Sequence, residues 1–474
     1  MSKKLTLKNK LAFASADFFG GGSFNIVNFL YTPFLAMVIG LEPFMIAAVM
    51  LIARIWDAVI DPVIGRISDA TNSKFSKRRI FLLITSPLIA ISFFILFLPL
   101  SINGTVIKVI IVLATYLIFC TVQSLVMIPY YSLSSEISTD FNERASANTY
   151  RLGFSLLASI VCVAGAQLIK GSMGNKGYTV IGLLFGLLFA VSVFITAIFA
   201  REAVQYPPVK QKASLSNFLR PFKIKPFREY FIMFMALQVT MAVMSAVYVF
   251  FMDFFYFAEL TANRAPNVLA STLAPALLFV VQIFALPFYL HLMKKKDKAY
   301  AYRVGAIIWL LSSLAILVLP QNGHEIILYA VTIVIAFGIS GPGLAPHAMF
   351  GDIADVAQLM FKQRIDGSIS GLVNFFNQIA QAVGVALAMF ILGLAKFQEQ
   401  VYDANGDPTI FSQDIRAQIA IKLILALTPV ILLSIGITAS YSYKLNKRKH
   451  EKVLQFISEG KDLTEREVNE LFKD

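Results

Sequence analysis

The chain has 474 residues, 57% of them hydrophobic and 15% charged, with a mean hydropathy of +0.71 and a formal net charge of +13. A water-soluble protein of this length needs a far more polar surface, so the composition excludes a globular class and points to a chain held in lipid. The positive excess invites a nucleic-acid partner, but its placement at the ends of apolar runs argues against one.

Apolar runs recur along the whole chain, at 11–38, 43–67, 80–100, 107–134, 148–169 and 178–200, then at 230–257, 267–292, 301–320, 325–349, 368–395 and 418–441. Each is long enough to cross a hydrocarbon core of roughly 30 Å at about 1.5 Å per residue. The reading is an all-α membrane protein with about twelve transmembrane helices. The first run follows Lys8 and Lys10, is too long for a signal-peptide core and lacks a small-residue cleavage site, so no cleavable leader is expected. Lys3, Lys4, Lys8 and Lys10 precede the first span, and Lys74, Lys77, Arg78 and Arg79 follow the second. Arg220, Lys223, Lys225 and Arg228 lie between spans six and seven, Lys294, Lys295, Lys296 and Lys298 between eight and nine, and Lys444, Lys447, Arg448 and Lys449 after the last. All fall on one side if the N-terminus is cytoplasmic. The positive charge therefore reads as topology and contact with anionic lipid headgroups. A multi-pass protein of the cell (inner) membrane, with both termini cytoplasmic, is the expectation.

The polar stretch 201–229 carries Pro207, Pro208, Pro221 and Pro226 and divides the spans six and six. The expected organisation is an N-terminal six-helix bundle over 1–200, a cytoplasmic linker over 201–229, a C-terminal bundle over 230–442 and a cytoplasmic tail over 443–474. An internal echo supports two related halves. The fourth span ends in Pro129 with Glu136 and Arg144 beyond; the tenth holds Pro346 with Asp352, Asp355 and Arg364 beyond. In the tail, Thr464-Glu465-Arg466-Glu467 has the form of a helix start, with Val468, Leu471 and Phe472 as an apolar stripe. The two cysteines, Cys120 and Cys162, lie inside apolar spans and read as small buried hydrophobes.

Ionisable groups inside apolar runs carry the functional information, because they are costly there. Arg54, Asp57 and Asp61 stand at three- and four-residue steps and share one helical face of the second span. Two close carboxylates repel in a low dielectric, which lets a proton or small cation bridge them, while Arg54 offsets part of the charge as a supporting ion pair. A static ion-paired triad is the plainer alternative, although one arginine leaves a carboxylate uncompensated. Asp17 precedes Gly20-Gly21-Gly22, glycines that permit a bend or a close helix approach. It is read as a substrate contact able to accept hydrogen bonds from sugar hydroxyls, against the alternative of a structural polar group. Arg151 can donate to the same hydroxyls. Asp253 is read as interfacial, and His347 as a packing residue rather than a proton relay.

The string from Arg54 through Trp56, Asp57, Asp61, Pro62, Gly65 and Asp69, running on to Arg78 and Arg79, closely resembles the glycoside-pentoside-hexuronide:cation symporter family. Further matches come at Pro129-Tyr130-Tyr131 with Glu136, at Glu143-Arg144, at Tyr150-Arg151, at Asp352 and Asp355, and at Arg364-Ile365-Asp366-Gly367. The resemblance covers nearly the whole chain. It implies the major facilitator superfamily fold of two six-helix bundles. It places Asp57 and Asp61 on the cation-site carboxylates, with Ser124 retaining a hydroxyl where the family carries threonine. These carboxylates would ligate a metal only if sodium is the coupling ion. The resemblance also places Asp17 and Arg151 on the sugar-contacting acid and arginine, and Tyr131 on an aromatic that packs against a sugar ring. Gln378 stands where the family has a lysine, and Asn374, one helical turn earlier, is counted with it among the substrate contacts. Met127 stands where a sugar-contacting aspartate is expected, and Ile60 where an asparagine helps bind sodium.

The expectation is therefore cation-coupled symport of a sugar or glycoside by alternating access, with protons favoured over sodium because Ile60 weakens an all-oxygen shell. The expected partners are that solute, the coupling cation and the bilayer, with no nucleic acid, no cofactor beyond the coupling ion, and a monomeric state. Carriage of an amphiphile or other small solute, with or without coupling, is one alternative, and a non-transporting nutrient sensor another. No phosphate loop, metal-ligand cluster or nucleophile elbow suggests an enzyme.

Overall fold

The computed structural model describes residues 5–71, 73, 75–99, 104–138, 141–200, 219–263, 267–362, 366–399, 412–461 and 463–472. These residues are helical almost throughout. The first predicted span is not one helix but four segments in series: α1 (Leu7–Ala14), α2 (Asp17–Ile26), a π-helix (Val27–Tyr31) and α3 (Thr32–Met37). Then follow α4 (Pro43–Ala70), α5 (Arg79–Leu96), α6 (Thr105–Glu136), α7 (Phe141–Met173) and α8 (Asn175–Phe199). After a short 3-10 turn (Arg220–Lys223) come α9 (Lys225–Phe251), a second π-helix (Met252–Tyr256), α10 (Ala258–Ala262) and α11 (Val268–Lys295). The chain continues with α12 (Lys298–Ala315), α13 (Glu325–Phe361), α14 (Asp366–Leu394) and α15 (Ile415–Ser442). The tail folds as α16 (Lys447–Ser458) and α17 (Glu465–Glu470).

Eleven of these helices are long and apolar enough to cross a membrane among the described residues. With the segmented first span they account for the twelve predicted runs. Prolines inside α4 (Pro62), α5 (Pro87), α6 (Pro129), α13 (Pro342 and Pro346) and α15 (Pro429) are accommodated, because membrane helices re-satisfy the freed carbonyls locally.

The first span breaks for a specific reason. The Thr196 hydroxyl on α8 accepts from the Ala16 backbone N–H at 2.9 Å and donates to the Ala12 carbonyl at 2.7 Å. It thus stands between the two groups that an unbroken helix would join directly, a recognised cause of a kink. Ser15 donates to the Ala12 carbonyl at 2.9 Å, or reaches the Ser192 carbonyl at 3.0 Å. The break falls immediately before Asp17.

The chain divides into two compact units. The first comprises Met1–Lys210, Ser245–Ala276 and Ala386–Gln418; the second comprises Gln211–Met244, Leu277–Val385 and Ile419–Asp474. In the first unit α2 packs on α7, α5 on α6 and α8, and α4 on α6. In the second, α12 packs on α13, and the glycines decide how closely. A Cβ on Gly305 would lie 2.6 Å from the Gly338 carbonyl oxygen, and one on Gly338 would lie 2.5 Å from the Trp309 nitrogen. Small residues let membrane helices approach backbone to backbone.

The tail docks on the second unit. Thr464 and Glu467 form a reciprocal capping box at the start of α17, as its sequence predicted. Val453, Val468 and Phe472 are buried, Asn469 bonds to the Lys223 carbonyl and the Lys225 N–H, and His450 approaches Asp355 at 3.0 Å.

Candidate functional site

In the first unit, α4 places Arg54, Asp57 and Asp61 along the face turned to α6. Arg54 meets the Asp57 Oδ2 at 3.3 Å, and the Ser124 hydroxyl donates to the Asp61 Oδ1 at 2.5 Å. Ile52, Ile55, Val59 and Val63 stand on the opposite face and are exposed. The pattern follows from the helical period, which separates a polar stripe from an apolar one within a single helix. Asp57 is only 6% exposed.

Two residues in this group were not singled out as site residues in the sequence. Tyr116 lies within electrostatic reach of Arg54, and Cys120 interacts with Asp57. Tyr116, Cys120 and Ser124 stand at four-residue steps on α6, so they form one row facing the α4 row. That spacing was visible in the sequence, but nothing local said which face of α6 meets α4. Among the described residues no cluster of three or more His, Cys, Asp and Glu side chains could hold a metal ion. A cation here would rely on two carboxylates and the Ser124 hydroxyl.

A second group lies nearby in the same unit. Asp17, at the start of α2, is 5% exposed, takes a side-chain hydrogen bond from Ser155 and lies within reach of Arg151. The Arg151 guanidinium sits over the Tyr131 ring, 5.3 Å from its centroid, and the Arg151 Nε is buried without a hydrogen-bond partner. Tyr131 is 49% exposed. The close fit of α2 on α7 positions Asp17, since a Cβ on Gly21 would lie 2.7 Å from the Ser155 carbonyl oxygen. Gly20 likewise brings the Met127 methyl beside the Asp17 carboxylate. The sequence-predicted residues Asp17, Arg151 and Tyr131 are thus brought together, with Ser155 as the partner that the sequence reading missed.

Asn374 and Gln378 belong to the second unit, on α14. Asn377 and Gln381, which bond to each other at 2.8 Å, share their face. Four amides thus line one side of the helix, while Val383, Leu387, Phe390 and Leu394 are exposed on the other. Such amides suit hydroxyl-bearing solutes, because each offers both a donor and an acceptor.

Each unit also carries a buried or half-buried ion pair built in the same way. Arg78 at the entry to α5 meets Glu136 at the end of α6 at 3.1 Å, and Arg78 also donates to Ser68. Lys298 at the start of α12 meets Asp352 near the end of α13 at 2.6 Å. The acids are those of the proline–acid echo between the fourth and tenth spans, and in each half their partner opens the preceding helix. The arginines of that echo, Arg144 and Arg364, fall outside the described side chains. Asp253, read from the sequence as interfacial, is half-buried in a 2.9 Å pair with Lys170.

Helices of membrane length that carry carboxylates, an arginine and amides on single faces suit a polytopic transporter. The family model described as MFS/sugar transport protein matches residues 12–447, and the chain belongs to that family. It is 26% identical over 462 residues to the uncharacterized symporter YjmB of Bacillus subtilis (strain 168), covering 96% of this chain and 95% of that one. It is 21% identical over 499 residues to the sodium-dependent lysophosphatidylcholine symporter 1 of Mus musculus, covering 96% and 90%. Its fold is similar to a crystal structure of a variant of the nucleoside transporter NupG, with a TM-score of 0.64 and 14% identity over 92% of this chain and 100% of that one.

Proposed function

We propose that the protein is a cation-coupled symporter that moves a sugar or glycoside by alternating access, with the proton favoured as coupling ion. The carrying observation is the pair of carboxylates on α4, Asp57 buried against Arg54 and Asp61 bonded to Ser124. A cation binding there offsets charge that one arginine leaves over, and this links ion occupancy to the arrangement of α4 and α6. Asp17 and Arg151, with Tyr131 beside them, supply the acceptor, donor and apolar ring that a sugar requires. Asn374 and Gln378 are its contacts on α14. The family's description supports a sugar, and the names of both sequence relatives support symport. The lysine- and arginine-rich helix ends support cytoplasmic termini, and the family resemblance supports a prokaryotic inner membrane. Two six-helix bundles joined by 201–229, acting as a monomer, complete the reading.

The lysophosphatidylcholine relative favours a second reading, carriage of an amphiphile. Met127, apolar and placed at Gly20 beside Asp17, is its local support.

The test is substrate-induced pH change in vesicles carrying the purified protein, over a panel of glycosides, pentosides, hexuronides and lysolipids, with and without sodium. External alkalinisation on adding one sugar, lost in Asp57→Asn and Asp61→Asn, is the expected outcome. Uphill accumulation retained in both variants would sink the cation-site assignment, and a response to lysolipid alone would establish the second reading.

A further inference from the structure

The rows on α4 and α6 form a ladder of three rungs: Arg54 with Tyr116, Asp57 with Cys120, and Asp61 with Ser124. The outer rungs set an oxygen against a charge, whereas the middle rung sets a sulfur. That rung is the most enclosed, with Cys120 2% exposed. Asp57 spends its Oδ2 on Arg54, and the Cys120 thiol is a further side-chain partner of its carboxylate. The next α4 side chain toward Asp61 is Ile60, which carries no oxygen. Hard cations are held by oxygen ligands, whereas a thiol is a soft, weak donor and acceptor.

We propose that Cys120 sets ion selectivity at this site, its thiol standing where a sodium shell needs an oxygen. Ser124 supplies that oxygen one turn further along α6; the Asp57 rung lacks it. The site then discriminates against sodium by coordination number, while a proton, which needs one acceptor, is unaffected. The inference rests on reading Asp57 and Asp61 as the cation site.

Cys120→Ser exchanges sulfur for oxygen in nearly the same volume, and Cys120→Ala removes both. The measurement is thermal unfolding of the purified full chain in sodium chloride against choline chloride, without any transported solute. Wild type and Cys120→Ala are expected to show no sodium-dependent shift. Cys120→Ser is expected to gain several degrees once sodium exceeds its dissociation constant, because a ligand of the native state alone stabilises it. The gain is expected to vanish in Cys120→Ser/Asp57→Asn. If Cys120→Ser does not survive purification, Cys120→Thr carries the same hydroxyl.

Wild type shifting as far as Cys120→Ser, or no gain in the serine and threonine variants, overturns the role of Cys120 and leaves the carboxylate site to stand on its transport test. A gain that survives Asp57→Asn overturns the proposal through the site itself, because the sodium would then be bound elsewhere.

Discussion

Asp17 is buried at the break in the first span, bonded to Ser155 and facing Arg151. A charge-assisted hydrogen bond that a carboxylate accepts from a solute hydroxyl contributes about 1.5–3 kcal/mol, or roughly 10- to 100-fold in affinity. Asp17→Ala is accordingly expected to weaken substrate binding by about that factor while the protein stays folded. Calorimetric titration of the purified variant with the transported solute measures it, and unchanged affinity would remove Asp17 from the substrate site. Charged residues in apolar runs were legible in the sequence because each is an exception that a membrane span tolerates only for a purpose. Ser155 and Cys120 were not legible, because serine and cysteine sit comfortably in any membrane helix and betray nothing until a neighbour is known.

At the scale of the element, the first span shows where periodicity stops informing. Its apolar composition predicts one helix, and the structure divides it into four segments. The interruption comes from a different helix, through the Thr196 hydroxyl lodged between Ala12 and Ala16. Thr196→Val keeps the shape and removes both hydrogen bonds, leaving the buried Ala16 N–H unsatisfied while Ser15 still donates to the Ala12 carbonyl. A loss of about 1–3 kcal/mol is expected, read as a lowered unfolding temperature, with Thr196→Ser close to wild type. Weaker substrate binding should accompany it, since Asp17 is set by the same kink. Equal stability of the valine variant and wild type would show that the break does not depend on this hydroxyl. The tail gives the opposite lesson. Its capping box is purely local, so Thr464 and Glu467 announced α17 directly.

At the scale of the molecule, the first compact unit draws in Ser245–Ala276 and Ala386–Gln418 from the second half of the chain. Within it Lys170 at the end of α7 pairs with Asp253 in the second π-helix, and Phe44 packs against Phe390 and Gly393. These contacts must part if the helix ends they join are to separate during alternating access. Half-buried, the pair is worth about 1–2 kcal/mol, between the exposed and buried cases, enough to shift a two-state population about tenfold. Tyr248, near the end of α9 just before the π-helix that holds Asp253, packs on Phe29. Lys170→Asp is expected to raise labelling of Tyr248→Cys by an impermeant thiol reagent several-fold, and Lys170→Asp/Asp253→Lys to restore the low rate. Identical labelling in all three backgrounds would mean that the pair holds nothing closed.

The sequence by itself determined the membrane class, the number of spans, the family resemblance, and the polar face of α4 with Asp57 and Asp61. Each of these depends on composition or on spacing within one helix. Only the tertiary structure decided that Cys120 meets Asp57, that Thr196 breaks the first span, that Met127 lies beside Asp17, and that Asp253 finds Lys170. Each of these depends on which face one helix turns to another. Apolar helices in lipid have little hydrophobic patterning to orient them, so close glycine contacts and single hydrogen bonds, scattered far apart in the chain, set the orientation instead.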